Sequence, residues 1–127
     1  MNDTFEVSTK TQISRETISD LLCTAFEGGS TYWVNELFIM KDAPDSMRPD
    51  DFSGYASEHG AYGGILKIFD NEAETTYLLS DTEIQRGLNR MAEDHCHHWM
   101  DLINENMDAD TADVFLQCCV FGEVVYG

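Results

Sequence analysis

"ILKIFDNEAETTYLL", Ile65 to Leu79, is the stretch that decides the fold. Two runs rich in branched and aromatic residues, Ile65–Phe69 and Thr75–Leu79, flank the polar "NEAE", which is the pattern of a β-hairpin. Upstream, "YWVNELFIM" (Tyr32 to Met40) is equally strand-like and is expected to pair centrally, buried on both faces towards its end. Still earlier, "TFEVSTK" (Thr4 to Lys10) alternates Phe5, Val7 and Thr9 with polar neighbours, the period of a half-buried strand. These four segments predict an antiparallel sheet of about four strands, to which the closing "EVVYG" would add a short fifth.

The remainder has helical periodicity. In "SRETISDLLCTAFEGG", Ser14 stands as N-cap, Glu16 falls in the first turn, and Ile18, Leu21, Leu22, Ala25 and Phe26 share one face. Ser80 and Glu83 form an S-x-x-E capping box opening a second helix with Ile84, Leu88 and Met91 inward, and Trp99 beyond a break or continuation near Asp94. "DADTADVFLQCCVFG" predicts a last helix with Ala112, Phe115, Leu116 and Cys119 on its apolar face and a stop at Gly122. The fold class is therefore α+β, a single domain over residues 1–127, with the sheet packed against an N-terminal helix and a C-terminal helical pair. The expected core is Leu21, Leu22, Phe26, Val34, Leu37, Ile39, Ile65, Ile68, Leu78, Leu88, Phe115 and Leu116, with Trp33 also read mainly as core.

Gly28 and Gly29 in "FEGGSTYW" pose a functional question. A phosphate cradle places glycines ahead of a helix N-terminus, whereas these follow a helix and meet its carbonyl end, the wrong polarity for an anion. They are read as the end of the helix, with Gly28 in a left-handed C-cap.

Charge is the largest compositional signal. Twenty-four Asp and Glu against seven Lys and Arg give a formal net charge of −17, spread from Asp3 to Glu123. Such a surface repels nucleic acid and anionic lipid, so neither is expected as a direct partner. Solubility or adaptation to high salt explains this charge in one way; imitation of a polyanion that occupies a basic groove on a protein explains it in another. Apolar residues at 43% supply a core, and 127 residues suffice to bury one. The start of the chain has no signal-peptide pattern and no apolar run reaches the ~18 residues of a membrane span, so a cytoplasmic location, in a host cell, is expected. Cys23, Cys96, Cys118 and Cys119 contain no C-x-x-C and read as reduced thiols, at least one of the vicinal pair belonging to the core.

No catalytic motif emerges. "HCHH" (His95 to His98) clusters potential ligands, but neither H-E-x-x-H nor a C-x-x-C partner accompanies it, and "DNEAE" and "DADTAD" lack the ligand order of a calcium loop. No nucleophile elbow or phosphate-binding loop is present. A non-enzymatic chain without cofactor or metal is expected. The longest irregular segment, Lys41 to Gly64, holds both prolines and a group of acids; loops of this length are often functional. It supplies the candidate partner-binding residues Asp42, Asp45, Asp50, Asp51 and Glu58, joined by the loop aromatics Tyr55 and Tyr62.

"CTAFEGGSTYW" and "DADTADVFLQCCVFGEVVYG" together resemble small acidic proteins encoded by phages, prophages and mobile elements, with a Gly-Gly-Ser-x-Tyr-Trp box and a closing Phe-Gly-Glu-x-Val-Tyr-Gly. The resemblance covers both ends and the hairpin but not His95 to Trp99, and it implies a genetic setting rather than a catalytic residue. That setting implies a non-catalytic inhibitor of host defence, of the anti-CRISPR or anti-restriction kind, whose acidic surface occupies the nucleic-acid groove of a basic host protein. Two alternatives stand beside it. One is a structural or regulatory homo-oligomer, a homodimer pairing through Val124 to Tyr126 if that edge is uncovered. The other is a module holding a small nucleotide-like ligand between Gly28–Trp33 and the loop aromatics, with Lys41, Arg48 and Lys67 as a local basic spot.

Overall fold

The computed structural model describes residues 3–7 and 9–127. Helix α1 (Arg15–Thr24) starts where Ser14 Oγ accepts the Thr17 N–H at 3.1 Å, and it buries Ile18, Leu21 and Leu22. It does not end in a left-handed glycine. The coil widens into a π-helical turn over Ala25–Gly29, and neither Gly28 nor Gly29 has positive φ. The necessity lies at Gly29 instead, where a Cβ would stand 2.5 Å from the carbonyl oxygen of Ala109. The pair of glycines thus ends the helix, as expected, and lets it press against the start of the last helix.

Strand β1 (Val34–Lys41) follows, then a 3-10 turn at Asp45–Met47 and the short helix α2 (Ala56–Ala61), an element that the irregular composition of this loop had concealed. The hairpin is formed by β2 (Ile65–Asp70) and β3 (Thr75–Leu79). Next come α3 (Asp81–Asp94), a break at His95, α4 (Cys96–Ile103) and α5 (Ala109–Phe121). At the capping box, Glu83 Oε1 accepts both the N–H and the hydroxyl of Ser80, and Gly122, at φ 78°, closes α5.

The sheet is open, antiparallel and three-stranded, in the order β1-β2-β3. Two expectations are corrected here. Thr4 to Lys10 contributes no strand among its described residues (Ser8 lies outside them), and Phe5 and Val7 are 96% and 82% exposed. Alternation without a neighbouring strand to pair with does not make a strand. The aromatic run Tyr32–Met40 lies at an edge rather than the centre; β2 takes the centre because each of its sides meets a partner with a matching face.

Register sorts the side chains. Leu37, Ile68 and Tyr77 align across the sheet on the face towards the helices, as do Ile39, Leu66 and Leu79. Phe38, Lys67 and Leu78 align on the opposite face, which leaves Phe38 54% and Leu78 49% exposed. Leu79, not Leu78, is therefore core. One position along a strand reverses the face. Leu21, Leu22, Ile68, Phe115 and Leu116 are buried as expected, Phe26, Val34, Leu37 and Leu88 pack partly buried against them, and Ile39 and Ile65 are more exposed than expected.

The helices close over this sheet. α5 packs on α3, α1 and β3, while α2 bridges α1 to β1 and β2. α3 and α5 approach closely at Gly87, where a Cβ would lie 2.8 Å from the Cys119 nitrogen, and Arg86 donates to the carbonyls of Cys119 and Val120. Cys118 and Cys119 are both buried. No helix among the described residues is long and apolar enough to cross a membrane.

Candidate functional site

Two places concentrate carboxylate chemistry, and the structure gives them opposite roles. The first joins the two ends of the chain. Asp113 Oδ1 accepts from Ser30 Oγ at 2.8 Å and from Trp33 Nε1 at 2.8 Å, while Oδ2 accepts from the Tyr32 hydroxyl at 2.5 Å and from Gln117 Nε2 at 3.0 Å. Every hydrogen-bonding side chain of "SxYW" in the box thus ends on one carboxylate of α5. Burial, then the Asp113 carboxylate, pushes the Tyr32 phenol up to about 12.

One turn later Gln117 completes the junction. Its Oε1 accepts the backbone N–H groups of Val125 and Tyr126, both at 2.8 Å, and its Nε2 donates to the Tyr126 carbonyl at 3.2 Å. The closing segment is therefore not a fifth strand. A side-chain amide takes the place of a strand partner for the Val125 and Tyr126 N–H groups, which ties this backbone within its own chain while the Val124 and Val125 side chains stay 36% and 52% exposed. The Tyr126 hydroxyl reaches fully buried Asp70 at 2.8 Å, and that hydrogen bond, ahead of burial, raises the phenol to about 12. Trp33, Phe121 and Tyr126 cluster with centroids 5.0 to 5.9 Å apart, tilted or edge-on to one another. Ser30–Trp33 near one end and Asp113, Gln117 and Tyr126 near the other are the two halves of one structural clamp.

The second place is the loop after β1. Buried His59 organises it: its Nδ1 accepts the Ala43 N–H at 2.9 Å, and Phe52 packs edge-on against its ring at 5.0 Å. Arg48 donates to the Ala43 carbonyl, lies 4.8 Å from the Phe52 centroid and pairs with Asp45 at 3.3 Å. Asp42, Asp50 and Asp51 project into solvent from this scaffold. Asp42 Oδ1 comes within 3.9 Å of His59 Nδ1, which already accepts from the backbone. Glu58 differs from the other acids because it caps α2, taking the N–H groups of Ser53 at 3.1 Å and Tyr55 at 3.0 Å. Tyr55 is 70% exposed, whereas Tyr62 is half-buried and set edge-on to Phe52 at 6.4 Å.

Sequence reasoning missed a contribution from α1. The Tyr62 phenol is raised by burial first and then by Glu16, Asp51, Glu58 and Asp20. Cys23 is raised by burial first, then by Glu27, with Asp20 and Glu58 adding to it. Carboxylates of α1 and of the loop thus face one neighbourhood. The signal was present in the spacing, since 16, 20 and 27 fall on one helical stripe. Next to it, Cys23, Phe26, Glu27, Leu37, Tyr55, Ala56 and Ser57 line a mostly apolar cavity of about 330 Å³.

The remaining candidates disperse. Ser30, Tyr32 and Trp33 have their side-chain donors on Asp113, while Lys41 and Lys67 stand on the sheet face away from the helices and Arg48 lies in the loop. His97 pairs with Asp101 at 3.7 Å and His98 Nδ1 meets Thr111 Oγ1 at 3.1 Å, so the adjacent histidines turn to different partners. Among the described residues no three His, Cys, Asp or Glu side chains gather as a metal site.

Comparison with protein-family models, with curated proteins and with solved structures found no match.

Proposed function

We propose that the chain is a non-catalytic inhibitor that sets an acidic face into the nucleic-acid groove of a basic, nucleic-acid-handling host protein, in the manner of an anti-CRISPR or anti-restriction protein. One observation carries this reading: Asp42, Asp50 and Asp51 stay exposed on a loop fixed by buried His59, and Asp51 shares the surroundings of Tyr62 with Glu16 and Asp20 of α1. Among the described residues, the arginine ion pairs engage only Asp45, Asp81, Glu93 and Asp94, which leaves most of the acids without a basic partner. A held array of carboxylates presents charge to a groove without first ordering the loop, and this favours association. Tyr55 supplies an exposed aromatic beside the acids. Glu58 and Tyr62 support the array from within the loop.

The reading is tested by affinity capture from host lysate at roughly 50 mM and 500 mM salt. A basic, nucleic-acid-handling protein retained at low salt and released at high salt is the expected result, and duplex DNA or RNA should compete with the chain for it. Asn at 42, 50 and 51 should weaken capture at least about tenfold. Recovery of the bait alone at both salts, or a captured protein that holds the chain and its nucleic acid together without mutual loss, overturns it.

A further inference from the structure

Phe26 from the π-helical turn, Leu37 from β1 and Ala56 from the start of α2 wall the cavity of about 330 Å³. Most of its surface is apolar, and among the residues lining it Glu27 alone carries a full charge. Tyr55, 70% exposed, stands at the rim. The negative field extends beyond Glu27. Burial first, then Glu27, raises the Cys23 thiol on the same wall, with Asp20 and Glu58 adding to it, so three carboxylates act on this wall. The chain offers Glu27 no guanidinium of its own: among the described residues Arg15, Arg48 and Arg90 pair with other acids, and Arg86 donates to carbonyls of α5.

We propose that this cavity receives an arginine side chain of the basic partner protein, its methylenes against Phe26, Leu37 and Ala56 and its guanidinium on Glu27 and over the Tyr55 ring. The assignment rests on the groove reading, and it adds to the acidic face a point of attachment that has shape as well as charge.

The chemistry of the lining selects this occupant. An anion meets the combined field of Glu27, Asp20 and Glu58. An aliphatic or phenyl group would fit the walls but strip water from the Glu27 carboxylate and give it no partner, a loss that a cation reverses. Lysine has the cation, yet its compact ammonium holds water tightly, whereas a guanidinium is weakly hydrated and lays a flat face on an aromatic ring. Size agrees, since about 330 Å³ lies at the low end of the ~300–1,000 Å³ of ligand sites and accommodates one long side chain.

The test titrates the isotopically labelled chain with arginine capped at both termini (N-acetyl, C-methylamide) and follows backbone amide shifts. Saturable shifts centred on Cys23, Phe26, Glu27, Leu37, Ala56 and Ser57 are expected, with a dissociation constant of about 1–10 mM. The equally capped citrulline, which keeps the shape without the charge, and capped norleucine should each bind at least about fivefold more weakly, and capped lysine at least about threefold. Glu27→Gln, at an exposed position, should weaken arginine at least about fivefold, and Ala56→Leu, which fills the cavity, should abolish the saturable shifts while the circular-dichroism spectrum is kept. Shifts spread over the acidic surface without saturation, citrulline or norleucine binding as tightly as arginine, or indifference to both variants overturns the proposal. So does a host protein captured equally well by the wild-type chain and by Ala56→Leu. The capped amino acid involves no host protein, so its failure leaves the groove reading standing, while a chain that binds it yet captures no basic protein would overturn that reading and keep the arginine site.

Discussion

Asp113 and Asp51 are the same residue in two opposite settings. Around Asp113 the fold gathers Ser30, Tyr32, Trp33 and Gln117, so the carboxylate has donors on both oxygens. Asp51 is exposed, its side chain in no ion pair or hydrogen bond among the described residues, and other carboxylates lie nearby. A carboxylate supplied with donors joins distant parts of a chain, while one without them adds to an outward field. In a sequence this acidic, only the third dimension separates the two.

The largest effect should come from breaking the first setting. Asp113→Ala leaves Trp33 Nε1 and the Ser30 hydroxyl, both in fully buried residues, without their acceptor, and should cost about 3–5 kcal/mol in urea unfolding. Asp113→Asn keeps one acceptor oxygen and should lose less. A cost below ~1 kcal/mol for the alanine variant would mean the clamp carries little of the fold. Gln117→Ala should follow at about 2–3 kcal/mol, because the Val125 and Tyr126 N–H groups lose their shared acceptor. Its second signature is rapid amide exchange at those two residues.

High pH tests the same region more gently. A phenol raised in the folded state, from 10.0 to about 12 at both Tyr32 and Tyr126, gives stability that is fully present below pH 10 and lost as pH rises towards 12. Phenolate absorbance and Trp33 fluorescence should therefore report unfolding that begins as pH passes 10. Tyr32→Phe with Tyr126→Phe should flatten the decline. The smallest effect belongs to the second setting: Asp42→Asn, Asp50→Asn and Asp51→Asn together should shift unfolding by no more than ~0.5 kcal/mol, towards greater stability at low salt. A loss of more than ~1 kcal/mol would show these acids to be part of the scaffold after all.

What was legible in the sequence was local. The hairpin runs, the Ser14 and Ser80 helix starts and the Gly122 stop each depend on neighbours within a few residues, and each stands where the pattern placed it. The clamp was not legible, because Asp113 meets its donors across 80 to 83 positions and looks like any other acid of the twenty-four. Tyr32 and Trp33 stand in the sequence at the head of a strand-like run, although their polar atoms decide their place. In the loop, the acids were readable as a group but Glu58 was not readable as a cap, since that role appears only once α2 is known to begin after Tyr55. The choice between Leu78 and Leu79 required the pairing register.

The close seating of α3 on α5 at Gly87 gives the chain a reporter of its own opening. Cys119 lies fully buried there, with its thiol pushed well above the ordinary range, and burial first among the causes raises neighbouring Cys118 to about 11. Alkylation requires thiolate and access together, so neither sulfur should react until α3 lifts from α5. Cys96 is exposed and Cys23 is partly so. A single pulse of alkylating reagent, followed by peptide mass measurement, would therefore date events in one experiment: Cys96 labels at once, and the vicinal pair keeps time for the separation of the two helices.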